Sequence, residues 1–591
     1  MGGVRRTVSE APGGGGAGGG RRRRGDRVRR TVSGSVLAAG ALAALAAGGG
    51  AAADTPPAAA GSPAENFQGQ HACPAGSRAV VAGSLEELRA LLAAPGKVKA
   101  GGSGHNWGAD LACAGGEGEE STVVVPALGR AADGAVGESI VVDEERGTVR
   151  ADGWVLTSDL LDFLARHGRG WTLRGVPYWI HQTIAGAVAT GTHGSSRHGS
   201  LSGQLLGADV VLANGTLLSV DGESRPDLLD ALRVSVGRLG LITSVELPIV
   251  PNAPVRREST TVSAREFLAE VAAEAQLYAD GEAEAALEAL DERQYIWFVP
   301  LGVANRVAFE ARPGDRGDAT RGVLLEEDPP APPGGGSTTA AAGPYEFGRH
   351  PARDGLVAPA LARPAPDIRV ELDNAVVGAQ AVARNMFASM QLPNATLADR
   401  EARITSTREM ALENALHSDY AVFDQYEFSF PLEKAPACLE ALAEAATGER
   451  ALAQAFTTPA LVRFVGQEAG LLSHTHDGPR VFLNIEDYQS YNTFANLQAS
   501  LQPGFSSRGL TGRTDPQAGN PAFQALVDLL RSDLCGARIH WGKAGFPRWG
   551  FSGPEEYPET WCRFGEAVRE LDPEGKFAGA SEGTWDFSSC S

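Results

Sequence analysis

The chain has 591 residues, of which 43% are apolar, 7% aromatic and 21% charged, so low-complexity disorder is excluded for most of its length. Its 52 Lys and Arg face 72 Asp and Glu, which gives a formal net charge of −20. Nine arginines lie within residues 1–53, so the remainder of the chain is more acidic still. A body this acidic repels nucleic acid and anionic membrane surfaces, and we expect neither as a partner.

Residues 1–53 have the order of an export signal. Arg29 and Arg30 precede an apolar run at 34–47, and the alanines at 51–53 offer a small-residue cleavage site. The twin arginine favours the twin-arginine route over an ordinary secretory signal. The apolar run is shorter than the ~20 residues of a membrane span, so we expect no membrane anchor after signal removal. The sequence thus predicts an exported protein in an extracellular or periplasmic-type compartment.

Residues 54–77 read as a linker, and strand and helix patterns then alternate over a first domain at 78–252. Ser84 opens a helix with a capping box, and Asn214-Gly215 predicts a hairpin because both turn residues tolerate positive φ. Further strands are predicted at 78–82, 98–100, 122–125, 140–142, 148–151, 171–176, 208–212, 216–220 and 242–249, with a second helix at 158–166.

A second α+β domain is predicted over residues 253–530. It contains an acidic, Ala-rich helix at 264–290 and a Gly/Pro-rich insertion at 312–356. Further strands are predicted at 295–300, 426–431, 460–465 and 481–485, and helices at 373–389, 435–446 and 521–534. A C-terminal segment at 531–580 and a tail at 581–591 follow. The six cysteines make disulfides possible in an exported chain, but their spacing fixes no pairs and resembles no zinc site, so no metal is expected.

Two glycine-rich runs carry the first chemical signal. Gly101-Gly102-Ser103-Gly104-His105-Asn106 follows a predicted strand, and such a turn exposes backbone N–H groups to an anion such as a pyrophosphate. Residues 181–196 place small side chains wherever a bulky one would keep the backbone from a flat ligand. Two such loops in one domain indicate a long cofactor, although the first lacks the spacing of a Rossmann fingerprint or a P-loop.

Two further motifs complete a family pattern. Residues 233–242 read RVSVGRLGLI, and His540-Trp541-Gly542-Lys543 is followed by LDPEGKF at 571–577. Together the four motifs resemble the vanillyl-alcohol oxidase superfamily, in its aldonolactone and alditol oxidase branch (D-arabinono-1,4-lactone oxidase-like). The resemblance covers residues 78–250 and 425–580. It implies an α+β fold with two domains, a PCMH-type FAD-binding domain and an α+β substrate (cap) domain, whose C-terminal segment returns to the active site.

The resemblance also implies FAD as cofactor and a set of residues that hold it. His105 would be bonded covalently to the flavin, the alternative being a histidine that packs against it. Thr183 stands where the family places a hydroxyl near the reacting flavin edge, and Lys543 where an ammonium stabilises the reduced ring or orients a substrate hydroxyl. The implied cofactor-binding residues are Gly101, Gly102, Ser103, Gly104, His105, Asn106, Thr183, Gly186, Gly191, Ser195, Ser196, Ile242, His540 and Lys543.

One departure from the family pattern concerns substrate choice. The branch usually carries Glu-x-Arg on a substrate-domain strand. Here Arg463 occupies the position of the Arg, whereas Leu461 occupies the position of the Glu. We therefore expect this chain to lack the carboxylate that binds polyol hydroxyl groups in the branch. Asn484 and Glu486 share one face of a predicted strand, and Glu486 is the candidate replacement. We accordingly expect linear alditols to be poorer substrates than cyclic lactones, larger glycosides or alcohols with an apolar flank.

The resemblance implies an oxidoreductase that moves a hydride from a CH–OH group of a sugar-derived alcohol, alditol or aldonolactone to FAD, with O2 as acceptor. Its catalytic residues would be Lys543, Arg463 and Thr183. Alternatives within the class are a dehydrogenase with another electron acceptor and an oxidase of a sterol or other apolar alcohol. A secreted carbohydrate-binding flavoprotein without catalysis is an alternative of another class, and the retained Lys543 and Arg463 argue against it.

Overall fold

The computed structural model describes residues 76–311, 403–405, 424–487 and 523–590, apart from short internal gaps, together with residues 66, 73 and 74. The gaps fall at 109–112, 115–120, 131–134, 178, 254, 449–451, 453–454, 457–458, 547–548 and 580–581. The predicted export signal, the insertion at 312–356 and the predicted helix at 373–389 lie outside the described residues. The described residues belong to one compact unit.

A small parallel sheet carries the first glycine-rich loop. Its strands are β1 (Arg78–Ala82), β2 (Lys97–Ala100) and β3 (Ser121–Pro126), in the order β1-β3-β2. Helix α1 (Leu85–Ala93) connects β1 to β2, and its N-cap Ser84 accepts a hydrogen bond from the backbone N–H of Glu87. The predicted capping box is only half formed, because Glu87 accepts from the N–H of Gly83, at 2.6 Å, and not from Ser84.

An antiparallel sheet of five strands follows. In sheet order these are β4 (Ile140–Asp143), β5 (Thr148–Asp152), β9 (Leu241–Pro248), β7 (Gly207–Val211) and β8 (Leu217–Asp221). The predicted hairpin is confirmed, since the N–H of Leu212 donates to the carbonyl of Thr216 and Gly215 adopts φ +79°. The predicted strand at 171–176 shortens to β6 (Trp171–Thr172), which pairs with β10 (Val250–Pro251). Helices α2 (Thr157–Arg166), α3 (Ile184–Ala189) and α4 (Pro226–Leu232) connect these strands.

The largest sheet of the described residues has eight antiparallel strands. In sheet order they are β14 (Arg403–Thr405), β11 (Val255–Ser263), β13 (Val303–Ala311), β12 (Arg293–Phe298), β16 (Ala460–Val465), β17 (Arg480–Asp487), β15 (Asp424–Pro431) and β18 (Arg538–Ile539). Strands β11 and β13 were not predicted, because their mixed polar sequences have no clean hydrophobic alternation and their pairing is fixed by each other.

The predicted helix at 264–290 is wrong as a single element. It is two helices, α5 (Ala264–Ala279) and α6 (Ala283–Leu290), separated at Gly281, whose φ of +90° a helix does not accommodate. A complete capping box of Ser263 and Glu266 begins α5. Phe267 of α5 packs against Trp297 of β12, with ring centroids 5.3 Å apart, so the helix covers one face of the large sheet.

The C-terminal part of the chain joins both regions. Helices α7 (Ala435–Gly448) and α8 (Gln524–Arg531) precede β18, and α9 (Gly553–Glu556) and α10 (Trp561–Leu571) follow it. The chain then returns to the small sheet, where the N–H of Val98 donates to the carbonyl of Lys576. One hydrophobic core extends from the five-stranded to the eight-stranded sheet. No helix among the described residues has the length and apolar character needed to cross a membrane.

Three disulfides cross-link this fold. They join Cys73 to Cys113, Cys438 to Cys535, and Cys562 to Cys590. The first holds the two ends of a segment that includes β1, α1, β2 and the first glycine-rich loop. The second connects α7 to the turn after α8.

Candidate active site

A groove runs between the two glycine-rich loops. It encloses about 950 Å³ including its open mouth. Its walls come from residues 99–106, 125–126, 153–154, 182–183, 185–186, 189–190, 235–237, 240 and 242. Among the described residues that line it there is one ammonium group, that of Lys99, and no carboxylate. The lining is mostly glycine, alanine and backbone, so the groove fits a long anionic ligand with a flat ring, as FAD is.

The first loop packs directly on the second. A Cβ added to Gly102 would stand 2.2 Å from Oγ1 of Thr183, so no other residue fits there without displacement. Gly104 adopts φ +73°, which favours glycine. The N–H of Thr183 donates to the hydroxyl of Ser103 at 3.1 Å. These contacts fix the spacing of the two walls at the residues that the sequence predicted.

Part of the third motif, between Ser235 and Ile242, also lines the groove. Val236 has φ +45°, an uncommon conformation for a β-branched residue, and its carbonyl accepts a hydrogen bond from the Lys99 ammonium at 2.9 Å. Lys99 is only 2% exposed. Sequence reasoning missed it, because a lysine at the end of a short strand normally extends into solvent.

His105 lines the groove, and Trp179 holds its imidazole by a hydrogen bond. The indole N–H of Trp179 donates to Nε2 of His105 at 2.7 Å, and the two ring centroids are 5.0 Å apart. The tryptophan therefore fixes the orientation of the imidazole relative to the groove.

A cluster of buried charged and polar side chains lies beside the groove on one face of the eight-stranded sheet. Glu427 of β15 is 1% exposed and accepts a hydrogen bond from the guanidinium of Arg463, which is 5% exposed. Nε2 of His193 is 3.6 Å from one carboxylate oxygen of Glu427, and Nε2 of His540 is 3.9 Å from the other. Arg463 also donates to the carbonyl of His193 at 2.9 Å.

The protonation of this cluster follows from its burial and charges. Burial by itself would raise the pKa of Glu427, but the guanidinium of Arg463 and the imidazole of His193 lower that pKa well below 4.5. Burial lowers the pKa of His540 to about 3, so this ring is neutral at pH 7. Its Nε2–H donates to the carbonyl of Gly191 and its Nδ1 accepts from the N–H of Gly542.

The donor set of His193, Glu427 and His540 is compact enough to be considered as a metal site, since its ligand atoms lie within 4.8 Å of one another. The guanidinium of Arg463 already binds the carboxylate of Glu427 and places a positive charge where a cation would have to sit. We therefore interpret the cluster as a buried ion pair flanked by neutral imidazoles.

Lys543 stands between this cluster and the first loop. Its ammonium donates to Oε1 of Gln425 and lies 4.7 Å from the ring centroid of Trp107. The N–H of Trp107 in turn donates to the carbonyl of Gly542 at 3.1 Å, which joins the first loop to the HWGK motif. Burial lowers the pKa of Lys543 to about 8.

The HWGK motif adjoins the groove at its second wall. A Cβ on Gly542 would lie 3.9 Å from the Cβ of Thr190, a residue of the groove lining. The C-terminal segment thus returns to the site as expected. Asn484 and Glu486 share one face of β17, as predicted, and pair in register with Glu427 and Gln425 of β15.

Several of the predicted cofactor-binding residues lie outside the lining of the groove. Ser195 and Ser196 do not line the groove: the hydroxyl of Ser195 accepts from the N–H of Phe464, and the N–H of Ser196 donates to the carbonyl of Phe464. These bonds attach the second loop to β16, and the last residue of this loop that lines the groove is Thr190. Gly191 and His540 contact each other beside the groove and are not among its lining residues.

A carboxylate that the sequence analysis did not single out lies against Arg463. The expectation from sequence was that Leu461 replaces a polyol-binding Glu, with Glu486 as the candidate replacement. Glu427 supplies the partner from a different strand, two positions across the sheet. Glu427 lies within the strand predicted at 426–431, but only the pairing of β15, β17 and β16 brings it to Arg463.

The comparisons with known proteins agree with this architecture. Residues 77–221 match the FAD binding domain family, so this part of the chain is an FAD-binding domain. The mixed α+β fold resembles that of cholesterol oxidase from B. sterolicum, with a TM-score of 0.58 at 15% identity over 88% of this chain and 96% of that structure.

The resemblance to the aldonolactone oxidase branch is also confirmed. A putative D-arabinono-1,4-lactone oxidase of Neurospora crassa is 40% identical over 113 residues, which are 19% of this chain and 20% of that protein. L-gulonolactone oxidase of Bos taurus is 29% identical over 190 residues, which are 31% of this chain and 40% of that protein. The matched regions therefore span less than half the length of either relative.

Proposed function

We propose that this protein is an exported FAD-dependent oxidase that converts a CH–OH group of an aldonolactone or related sugar-derived alcohol to a carbonyl, with O2 as electron acceptor. The observation that carries the proposal is the junction of the groove with the HWGK motif. At that junction, a site for a flat anionic cofactor meets an ammonium, a guanidinium and a carboxylate. The names of the relatives agree with this substrate class.

FAD fits the residues present. The walls at Gly101, Gly102 and Gly237 allow close backbone approach, and the absence of carboxylates from the described lining avoids repulsion of the diphosphate. When bound, FAD would supply a hydride acceptor at its N5 atom. We further propose a covalent bond from His105 to the flavin. Because Nε2 of His105 accepts from Trp179, we assign the bond to Nδ1.

The roles of the surrounding side chains follow from their charges. The ammonium of Lys543 favours negative charge that develops as the substrate's hydrogen leaves with its electron pair. Arg463 is neutralised by Glu427, so the pair is arranged to orient hydroxyl groups by donating and accepting hydrogen bonds, not to attract an anion. Thr183 presents its hydroxyl between Gly102 and Gly186, at the junction of the two loops.

A second candidate substrate class is an alcohol with an apolar flank. Leu461 packs with Ile296 and Phe298 in an apolar cluster on the Arg463 side of the large sheet. This surface extends the polar site with aliphatic and aromatic carbon. It suits a substrate that is polar at the reacting end and apolar beyond it.

Peroxide release tests the proposal. The holoenzyme is supplied in air with D-arabinono-1,4-lactone, L-gulono-1,4-lactone, xylitol, sorbitol and an apolar secondary alcohol. We expect one equivalent of H2O2 per carbonyl formed, with the lactones fastest. Peroxide from the apolar alcohol alone would select the second candidate. No peroxide from any of them, with flavin bound, would contradict oxidase activity.

A variant of Lys543 tests the role that we assign to this residue. Lys543→Ala should lower kcat about a hundredfold, the usual cost of roughly 3 kcal/mol for one preorganised charge, while flavin content stays close to that of the parent. Lys434→Ala is the matched control, because Lys434 is exposed and its ammonium donates to the Asp533 carbonyl. Equal kcat in the two variants would remove Lys543 from the mechanism.

A further inference from the structure

A glutamine separates two charges at the candidate site. Gln425 of β15 accepts a hydrogen bond from the Lys543 ammonium with Oε1, and its Nε2 lies 3.5 Å from a carboxylate oxygen of Glu486. The orientation of the amide is dictated by chemistry, since an ammonium only donates and a carboxylate only accepts. Gln425 is thus the neutral link in a chain from Lys543 to Glu486.

The backbone of the same residue anchors the segment that carries the lysine. The carbonyl of Gln425 accepts from the N–H of Ala544 at 2.8 Å, and the carbonyl of Glu427 accepts from the N–H of His540 at 3.0 Å. These two bonds bracket Lys543 along the edge of β15. The ammonium is therefore positioned by Gln425 through both its side chain and its backbone.

The remaining charges near Lys543 come from three other elements. Glu427 is engaged by Arg463, Glu486 is reached through the amide of Gln425, and the His540 ring is neutral at pH 7. The ring of Trp107 covers the ammonium from the first loop. No carboxylate of the described residues forms an ion pair with Lys543.

We propose that Gln425 is a positioning residue that holds the Lys543 ammonium toward the reacting centre while keeping it from being neutralised by Glu486. This inference rests on the proposed function, in which the positive charge of Lys543 assists departure of hydride from the substrate carbon. A glutamate at this position would pair with the lysine and screen its charge. An apolar side chain of the same length would leave the ammonium without its acceptor.

The two substitutions therefore predict shifts of opposite sign in the protonation of Lys543. In Gln425→Glu the new carboxylate favours the charged lysine, so the midpoint rises by about one pH unit or more. In Gln425→Met the desolvated ammonium loses a hydrogen bond, so the midpoint falls. A residue with only a packing role would produce no such pair of opposite shifts.

The test measures the lysine directly and does not require turnover. Holoenzyme is labelled with acetic anhydride over a range of pH, and the labelled fraction of Lys543 is read by peptide mass spectrometry in the parent, Gln425→Glu, Gln425→Met and the control Gln524→Glu. Gln524 is exposed on α8 and its amide donates to Asp528, so the control makes the same substitution on the surface of the protein. Opposite shifts at position 425 with no shift in the control support the proposal; unchanged midpoints overturn it.

Anaerobic flavin reduction by lactone supplies the second readout. Gln425→Glu should reduce flavin about tenfold more slowly at pH 7, and its rate should hold to higher pH than that of the parent, because the raised pKa keeps the lysine charged. If a variant does not fold, as its melting curve would show, Gln425→Asn carries the test with a smaller shift. Opposite labelling shifts without any lactone oxidation would contradict the proposed function but not the positioning of Lys543.

Discussion

The carboxylate of Glu427 is almost completely buried, and charged or polar groups on neighbouring elements surround it. It depends on Arg463 for its hydrogen-bonded partner and on the His193 and His540 rings for the rest of its surroundings. Removing one partner of a buried ion pair costs more than the pair contributes, because the remaining charge stays desolvated. The folded state should therefore be sensitive to the charge of this one residue.

Glu427→Gln should lower the free energy of unfolding by about 3–5 kcal/mol, since the Arg463 guanidinium would be left buried without its counter-charge. Urea unfolding at pH 7 measures the loss, with Glu433→Gln on an exposed turn as control. The pKa of Glu427 is lower in the folded than in the unfolded protein, so its contribution is present above the unfolded value and is lost as pH falls through the folded one. The difference between parent and variant should therefore shrink in acid; equal stability at pH 7 would contradict the account.

The proposed covalent attachment of the flavin makes a prediction for His105. Acid-precipitated parent protein should stay yellow, whereas His105→Ala should release its FAD into the supernatant. His167→Ala is a control, since His167 lies on a half-exposed turn. A colourless precipitate from the parent, with all flavin in solution, would show that His105 only contacts the cofactor.

Several site residues could be predicted from the sequence alone, and several could not. Some belong to contiguous motifs whose backbone requirements can be inferred from the sequence. These residues are Gly102, His105, Thr183 and Lys543. Glu427 reaches Arg463 only through a pairing across three strands, and a single glutamate in a strand gives no signal of its own. Serine residues in a glycine-rich run look like ligand contacts until the turn of the chain is known.

At the scale of elements, local turn chemistry predicted best. The Asn214-Gly215 hairpin and the strand Ala460–Val465 were found where expected, because turn residues and β-branched runs act locally. The break at Gly281 was missed, since one glycine in an alanine-rich stretch is compatible with a continuous helix at modest cost. Strands β11 and β13 depend on each other and on β12, which no window of sequence contains.

The disulfide between α7 and the turn after α8 makes an element-scale prediction. It closes a separation of 97 residues, and in the chain-entropy model a loop of about 100 residues is worth up to ~4.7 kcal/mol. The double variant Cys438→Ser/Cys535→Ser should therefore lower the urea midpoint. Cys562→Ser/Cys590→Ser, which opens a separation of only 28 residues, should lower it less. The reverse order would show that strain or unfolded-state structure outweighs loop entropy.

At the scale of the whole molecule, the three disulfides support the proposed export, because such bonds persist in oxidising compartments. We predict that secreted material lacks the basic and apolar residues up to about position 53, where the small-residue site lies. N-terminal sequencing of protein from the culture medium and from the cytoplasm decides this. Mature protein that retains Met1 and stays in the cytoplasm would contradict it.

The central claim is that the groove holds FAD and that a substrate CH–OH group delivers hydride to it. Anaerobic mixing of the purified holoenzyme with D-arabinono-1,4-lactone, followed through the visible flavin absorbance, tests this most directly. We expect a yellow protein whose visible flavin absorbance is bleached by the lactone and restored by air. A protein that binds no flavin, or whose flavin stays oxidised with every lactone and alcohol supplied, would contradict it.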